Sequence, residues 1–319
     1  MRVPSITLPR SLLAGAAVTV LVVGLLIIGR TALRAEAEAT PSGALTVRPP
    51  TPPGSVRPVP AFSHAYLIIF ENKDVDEVIG DTDAPTFNAL RARYAALDVY
   101  QGIAHPSQPN YLALVAGSTL GVLDDDVHDV DGPTIFDQLE AAGRDWRLYA
   151  ENVPPGCYAG AGALDGVDGE GSYVRKHNPA IDFAAIRDDP QRCARIQPLS
   201  AFDPAAADLE IIIPNECHDA HDCDLPVADA WLDGFMSKLL ASPAYRDGGA
   251  VFVLFDEADG RNATNRVPAI VASESIVPGT VSTVAHDHYS VLRTLQDAWG
   301  LPCLAASCSA NTVGEVFGG

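Results

Sequence analysis

The stretch Ala65-Tyr-Leu-Ile-Ile-Phe70-Glu71-Asn72 is an apolar run of six residues that ends directly in a carboxylate and an amide. A short run rich in β-branched and aromatic residues predicts a buried strand. Ala250–Phe255 repeats the pattern and is followed by Asp256 and Glu257. Ligands of open α/β sheets bind at the carboxyl ends of the parallel strands. We therefore expect the polar side chains after these two strands to meet at one edge of a sheet.

Short apolar runs alternate with helical patterns through most of the chain. This alternation is the signature of βα units and predicts an α/β fold with a mostly parallel sheet. The 319 residues permit one large domain or two smaller ones, and we favour one. The predicted strands are Ala65–Phe70, Leu97–Gly102, Trp146–Ala150, Leu209–Ile213, Ala250–Phe255 and Val267–Val271. The predicted helices lie near Thr86–Ala95, Tyr111–Ala116, Thr134–Ala142, Val227–Leu240 and Tyr289–Trp299.

Polar oxygen or imidazole groups follow four of the predicted strands. In chain order these groups are Glu71 with Asn72, Ser107, the segment Asn215–Asp222, and Asp256 with Glu257. A solvated loop is the better explanation for any one of them, because loops are polar in general. Four such groups at one edge of a sheet predict a functional site.

Ser107 stands in the run His105-Pro-Ser107-Gln-Pro109-Asn110-Tyr111. Pro109 suits the first turn of a helix, so Ser107 is expected just before a helix N-terminus, which is an anion-binding position. A hydroxyl at this place, with the Asn110 amide nearby, suits a serine nucleophile and an oxyanion donor at a phosphorus centre. The alternative is a serine that only caps the helix.

The segment Asn215–Cys223 carries two imidazoles and three carboxylates within nine residues, including Asp219 and His221. Its density predicts a metal or catalytic site, and a hydrogen-bonded surface loop is the alternative. A second imidazole group, His286-Asp-His288, directly precedes a predicted helix that Asp287 could cap.

Two further polar segments have weaker patterns. His177 directly follows two cations in Arg175-Lys-His177-Asn-Pro179, a segment that could attract an anionic substrate or form a surface loop. The triplet Asp124–Asp126 lacks the glycine and the terminal glutamate of a calcium-binding loop. We therefore interpret the triplet as surface.

Charge restricts the possible partners of the protein. The formal net charge is -20, from 21 Lys+Arg and 41 Asp+Glu. A nucleic-acid-binding protein would need a basic face, so we exclude nucleic acid as a partner. The acidic excess is consistent both with carboxylates that hold cations and with a simply solvated surface.

The first residues predict export. Arg2 and Arg10 precede the apolar stretch 12–28, whose length lies between a signal-peptide core and a minimal membrane span. Residues 1–39 are therefore an export signal or an N-terminal membrane anchor, and residues 40–61 a Pro-rich linker. Residues 62–319 form the predicted folded domain, outside the cytoplasm and attached to the membrane if the segment is uncleaved.

Six cysteines, all beyond residue 150, fit an oxidising compartment. Cys217 with Cys223 and Cys303 with Cys308 are close enough to close small loops, which leaves Cys157 with Cys193. A zinc cluster is the competing interpretation, but the spacing CxxC is missing from the sequence.

In order and spacing, these motifs resemble the bacterial phosphoesterase family of the alkaline-phosphatase-like superfamily, which contains secreted acid phosphatases and phospholipases C. The resemblance covers residues 64–302 and is strongest to small secreted acid phosphatases of actinobacteria, including one that acts on phosphoinositides. The motifs are Phe70–Lys73, His105–Leu114, Arg175–Pro179, Pro214-Asn215 with Asp219 and His221, Phe255–Glu257, and His288–Thr294.

The resemblance implies a three-layer α/β sandwich and a set of functional residues. It implies a divalent metal, Ca, Mg, Mn or Zn, on Glu71, Asn72, Ser107, Asp256 and Glu257. Ser107 would be the nucleophile, and His177 or His288 would protonate the leaving alcohol. Asn215, Asp219 and His221 would form a second metal site or bind substrate.

The implied activity is hydrolysis of phosphomonoesters through a phosphoserine intermediate. The substrate would be a phosphorylated small molecule or a lipid headgroup. A phosphodiesterase of the phospholipase C type would use the same site on a diester. A third possibility, from another class, is a non-catalytic envelope module in which the carboxylates hold structural calcium.

Overall fold

A mixed sheet of eight strands forms the centre of the fold. In this computed structural model the described residues are 58–163, 172–260 and 264–318. The expected export segment, residues 1–39, lies outside them, as does the linker up to residue 57. The strands are β1 (Ala65–Phe70), β2 (Ala95–Leu97), β3 (Tyr100–Gln101), β4 (Trp146–Ala150), β5 (Gly162–Ala163), β6 (Tyr173–Val174), β7 (Ile196–Pro198), β8 (Leu209–Ile213), β9 (Ala250–Phe255), β10 (Ala269–Ala272), β11 (Thr280–Ser282) and β12 (His286–Asp287).

The helices include the five predicted from the sequence and several single turns. They are α1 (Val75–Val78), α2 (Pro85–Arg93), α3 (Gln108–Ala116), α4 (Ile135–Ala141), α5 (Pro179–Asp182), α6 (Ala184–Arg187), α7 (Pro190–Cys193), α8 (Leu225–Ala241), α9 (Pro243–Arg246) and α10 (His288–Trp299). Among the described residues, none of these helices is both long and apolar enough to cross a membrane.

The strand order in the main sheet is β11-β2-β10-β9-β1-β8-β4-β7. β1 is parallel to both of its neighbours, β8 and β9, and β4 is parallel to β8 and β7. β10 is antiparallel to its neighbours β9 and β2. The prediction of a mostly parallel α/β sheet is confirmed, and it follows that β1, β4, β8 and β9 all end at the same edge.

Helices cover both faces of the sheet, as alternate side chains of β9 demonstrate. The Phe255 ring lies 5.5 Å from that of Phe87 on α2. The Phe252 ring lies 6.2 Å from that of Phe62, whose carbonyl accepts a hydrogen bond from Trp299 on α10. Positions 252 and 255 of a strand point to opposite faces, so α2 and α10 lie on opposite sides of the sheet. These three layers are the architecture that the family resemblance implies.

Two predicted strands differ from the structure. The run Leu97–Gly102 is divided between β2 and β3, and β3 leaves the main sheet to pair with β12. The run Val267–Val271 becomes β10, which starts two residues later and is antiparallel. The sequence prediction also missed β7, because its partly exposed residues and its proline suit only an edge strand.

The structure contains three disulfides, Cys157–Cys193, Cys217–Cys223 and Cys303–Cys308, and leaves no cysteine free. These are the pairs that the spacing predicts. Because every cysteine is in a disulfide, none is free to form the alternative zinc cluster.

A buried carboxylate on one helix caps the start of another. Helix α2 begins at Pro85 after Ala84, which offers no side-chain cap. Asp229 on α8 replaces the cap: its Oδ1 accepts hydrogen bonds from the N–H groups of Thr86, at 2.8 Å, and Phe87, at 3.1 Å. Asp229 therefore fixes α2 to α8 as well as satisfying free amides at the helix N-terminus.

We predict that Asp229→Ala lowers the free energy of unfolding by about 1–3 kcal/mol, since a cap and a buried charge-assisted hydrogen bond are lost together. Urea denaturation measures this change. Asp233→Ala is the control, because Asp233 is exposed on the same helix. Equal stability of the two variants would contradict the capping role.

Candidate active site

Ser107 is the N-cap residue of α3, and its hydroxyl is not used to cap that helix. The hydroxyl instead donates to Glu71 Oε2 at 2.9 Å and lies 3.2 Å from Glu257 Oε1. Ser107 is 1% exposed. The interpretation of Ser107 as a plain capping serine is therefore wrong: the side chain belongs to the carboxylates that follow β1 and β9.

Glu71, Asp219, Asp256 and Glu257 form a cluster of four buried carboxylates around Ser107 and His177. Burial raises the pKa of Glu257 to about 8, with Glu71 adding to the shift. Burial, together with Glu71 and Glu257, raises the pKa of Asp256 well above its usual value. The cluster has more negative charge than its surroundings can stabilise.

The imidazole of His177 lies between two of these carboxylates. Its Nε2 is 3.3 Å from Glu71 Oε2 and its Nδ1 is 3.5 Å from Asp219 Oδ2. Burial opposes its charge, but Glu71 and Asp219 raise the pKa of His177 to about 10. Burial raises the pKa of Glu71, but the charge and hydrogen bond of His177 outweigh burial and lower this pKa to about 2.

Tyr111 on α3 supports this pair. Its ring stacks on the His177 ring, with the centroids 5.1 Å apart and the planes 14° from parallel. Its hydroxyl donates a hydrogen bond to Glu71 Oε1. Helix α3 therefore supplies both the hydroxyl of Ser107 at its start and a support for the imidazole one turn later.

The fit of this cluster to a divalent cation is good. Asp256 Oδ1 accepts the Asn72 N–H at 3.2 Å, while the buried Oδ2 accepts no hydrogen bond from the described residues. Glu71, His177 and Asp219 also offer ligand atoms that lie within 4.8 Å of one another. A hydroxyl and several carboxylates are ligands for a hard cation, and such a cation would relieve the excess charge.

Asn72 reaches this site through its backbone. It adopts φ +50° directly after β1, a conformation that asparagine tolerates better than most residues. This turn directs its N–H to Asp256 and so connects the ends of β1 and β9. The role of its side chain as a metal ligand stays a prediction.

Asn110 holds the loop that precedes Ser107. Its Oδ1 accepts the N–H groups of Ile103 and Ala104 at 2.7 and 3.0 Å. Its Nδ2 donates to the carbonyls of Ala104 and Pro106 at 3.0 and 3.3 Å. Both ends of the amide are used by the loop before Ser107, so Asn110 holds that loop, and its role as an oxyanion donor stays a prediction.

His288 also needs a correction. It is fully buried at the start of α10, with Nε2 2.6 Å from the Asp256 carbonyl and Nδ1 2.8 Å from the Tyr100 hydroxyl. Burial lowers the pKa of His288 to about 4. A neutral imidazole with both nitrogens engaged cannot protonate a leaving group, so His288 positions the loop that carries Asp256.

The disulfide-closed segment 215–223 divides its polar residues between two places. Asn215 Oδ1 accepts the N–H groups of Cys217 and His218, which shapes the loop. Asp219 joins the central cluster, and burial raises its pKa to about 6. His221 lies further out, with Nδ1 2.7 Å from Asp222 Oδ1 and its ring 6.1 Å from that of His177. The His221 N–H donates to Asp219 Oδ1 at 2.8 Å, and a second site on Asn215, Asp219 and His221 stays a prediction.

Two polar residues at this edge, His105 and Asp125, were missed by the sequence prediction, which named Lys176 only as one of the cations before His177. His105, two residues before Ser107, contacts Glu257. Lys176 Nζ donates to Asp125 Oδ2 at 3.0 Å, and Asp125 Oδ1 accepts the Gln108 N–H at 2.9 Å. The interpretation of residues 124–126 as plain surface is therefore wrong for Asp125. Its only sequence signal was an acidic loop after a nucleophile candidate, and that pattern is common.

Comparisons with known proteins decide the family. The sequence model of the Phosphoesterase family matches residues 80–302. The chain belongs to the phosphoesterase family. It is 32% identical to the phosphate-repressible acid phosphatase of Penicillium chrysogenum, over 95% of this chain and 74% of that protein. It is also 32% identical to the phosphatidylinositol-3-phosphatase of Mycobacterium tuberculosis, over 82% of this chain and 84% of that protein.

Solved structures support the fold of this phosphoesterase. A protein of the alkaline phosphatase superfamily from Vibrio parahaemolyticus matches with a TM-score of 0.51 and 10% identity, over 82% of this chain and 75% of that one. A protein from Bacteroides thetaiotaomicron assigned as a sulfatase matches with a TM-score of 0.55 and 13% identity, over 81% of this chain and 74% of that one. The fold is alkaline-phosphatase-like, and the chain is a phosphoric ester hydrolase of the phosphoesterase family.

Asn110→Ala separates the role of a loop support from that of an oxyanion donor. We predict that it lowers the free energy of unfolding by about 2–4 kcal/mol, because backbone groups of the buried loop lose their hydrogen-bond partners. Urea denaturation measures the change, and Asn311→Ala, at an exposed asparagine, is the control. A variant with unchanged stability and a lower kcat alone would restore the oxyanion role.

Proposed function

We propose that this phosphoesterase is a metal-dependent phosphomonoesterase that works through a phosphoserine intermediate on Ser107. The observation that carries the proposal is the position of the Ser107 hydroxyl. It lies at the N-terminus of a helix and makes hydrogen bonds to Glu71 and Glu257, from two neighbouring strands. A helix N-terminus favours an anion, and the carboxylates favour a cation beside it.

The proposed ligands of the cation are Glu71, Asn72, Ser107, Asp256 and Glu257. A divalent cation bound there would favour the alkoxide form of the serine and neutralise charge on the phosphoryl oxygens. Glu71 and Glu257 orient the Ser107 oxygen. Asp219 holds His177 from the side opposite Glu71, which keeps a positive charge beside the reacting group.

The reaction proceeds in two displacements. In the first, a bond forms between Ser107 Oγ and phosphorus while the bond from phosphorus to the alcohol oxygen breaks, and the alcohol leaves with a proton. In the second, water attacks the phosphoserine, which releases inorganic phosphate and restores the serine hydroxyl. With His288 excluded by its contacts, His177 is the remaining imidazole of the sequence prediction for the proton transfer.

We propose a phosphorylated small molecule or a lipid headgroup as the substrate. The acid phosphatase and phosphatidylinositol-3-phosphatase relatives support a monoester over a diester. We also propose that residues 1–39 export the chain, that residues 40–61 are a linker and that residues 62–319 are the catalytic domain outside the cytoplasm. The three disulfides support an oxidising location.

Ser107→Ala tests the nucleophile. We predict that kcat on p-nitrophenyl phosphate falls by about 10⁴-fold or more, because loss of a nucleophile removes several orders of magnitude in rate. Thermal unfolding should remain cooperative, since only one hydroxyl is removed. Ser237→Ala, at an exposed serine of α8, should keep the full rate. Near-normal turnover by a folded Ser107→Ala protein would rule out the serine mechanism.

Asp256→Asn tests the metal. We predict that it lowers metal content, measured by elemental analysis of the purified protein, and turnover together. The amide is a neutral and weaker ligand than the carboxylate. Asp247→Asn is the control, because Asp247 is exposed and precedes β9, whereas Asp256 follows the other end of that strand. Full activity of the wild-type protein after exhaustive chelation, with no metal detected, would refute the metal requirement.

A further inference from the structure

A single 3₁₀ turn is formed by Arg175, Lys176 and His177. Their side chains contact three different parts of the structure. Arg175 is buried and donates to Asp182 Oδ1 at 2.8 Å and to the Ala159 carbonyl at 2.7 Å. His177 is buried in the carboxylate cluster. The contacts of Arg175 and His177 therefore hold the turn on both sides of Lys176 and fix the position of its backbone.

The ammonium group of Lys176 is directed to the start of α3. One carboxylate, that of Asp125, accepts the Gln108 N–H with Oδ1 and the Lys176 Nζ with Oδ2. Gln108 follows Ser107 in the chain. The Asp125 carboxylate alone therefore lies between the Lys176 ammonium group and the backbone N–H of Gln108, the residue after Ser107. Its side chain is 17% exposed, so its charge is only partly screened by water.

The charge of Lys176 also acts on the carboxylates around Ser107. Burial raises the pKa of Glu71, and the contacts of His177 and Tyr111 lower it. The charge of Lys176 lowers it further, by a smaller amount. It also opposes the rise that burial and Glu71 produce in the pKa of Glu257. The ammonium group is thus within electrostatic reach of both partners of the Ser107 hydroxyl.

The chain has three lysines, and the two besides Lys176 have different surroundings. Lys73 donates to the Ala220 carbonyl at 2.9 Å and to the Asn72 carbonyl at 3.3 Å, so it ties two loops together. Lys238 is exposed on α8. Lys176 is the lysine whose charge lowers the pKa of Glu71 and opposes the rise in the pKa of Glu257.

We propose that Lys176 binds a non-bridging oxygen of the substrate phosphoryl group and gives the enzyme a preference for monoesters over diesters. This rests on the proposed function. A phosphomonoester carries close to two negative charges above a second pKa of about 6, whereas a phosphodiester carries one. An ammonium group held by Asp125 near the start of α3 stabilises the more highly charged group more strongly. Asp125 positions the ammonium group before substrate binds.

The first test compares kcat/KM for p-nitrophenyl phosphate and bis(p-nitrophenyl) phosphate at about pH 7, above that second pKa. Lys176→Gln should lower the value for the monoester by about 10- to 100-fold, the loss of one charge-assisted hydrogen bond. The value for the diester should fall by less than about threefold. Lys176→Arg should keep the preference, because it keeps the charge. Lys238→Gln is the matched control and should change neither value.

Equal losses on the two esters, or no loss on either, would overturn the specificity role. If diester hydrolysis by the wild-type protein is too slow to measure, the inhibition constant of inorganic phosphate decides instead. Lys176→Gln should then weaken inhibition by about 10-fold or more, and an unchanged constant would overturn the role. A wild-type protein with metal bound that hydrolyses neither ester would instead refute the proposed function.

A second test uses the wild-type protein and needs no variant to fold. Reductive methylation of the lysines is followed by mass spectrometry with and without inorganic phosphate, and Lys238 provides the internal reference. Phosphate should slow the methylation of Lys176 and leave that of Lys238 unchanged. Equal methylation of Lys176 in both conditions would contradict contact between its ammonium group and the phosphoryl group.

Discussion

Four buried carboxylates share one small volume at the carboxyl edge of the sheet, and their mutual repulsion is the constraint on which the rest of the structure depends. Glu71, Asp256 and Glu257 follow the adjacent parallel strands β1 and β9, and Asp219 comes from the loop after β8. Charges buried this way cost several kcal/mol each unless a cation compensates them. One imidazole, that of His177, lies between two of them, which leaves the cluster suited to a divalent cation. The sheet register is what forces these groups together.

Three polar side chains around this cluster hold its loops in place. Asn110 supports the loop before Ser107, His288 connects α10 to the Asp256 carbonyl, and Asn215 shapes the disulfide-closed loop. Each uses a side-chain amide or imidazole to satisfy backbone groups of a loop. Rigid loops of this kind keep a nucleophile and its partners within the narrow geometry that catalysis needs. The stability of the loops and the chemistry of the site are therefore coupled.

The sequence predicted the parts of the site that depend on short-range patterns. Glu71 and Asp256 follow apolar runs long enough to be buried strands, and Pro109 indicated the helix start beside Ser107. The roles of Asn110, His288 and Asp125 could not be predicted, because each depends on a partner brought close by the fold. Asn110 and Ile103, for example, are close in the chain, but only the loop conformation directs the amide to the backbone. The antiparallel direction of β10 could not be predicted either, since an apolar run does not encode whether its neighbour is parallel.

The central claim is that Ser107 becomes covalently phosphorylated during turnover. Wild-type enzyme mixed with p-nitrophenyl phosphate, stopped with acid at short times and digested for peptide mapping by tandem mass spectrometry, tests it most directly. We expect a phosphoryl group on Ser107 that appears before steady state and disappears when substrate is exhausted. A phosphoryl group on another residue, or p-nitrophenol release with no phosphorylated peptide at any time, would contradict it.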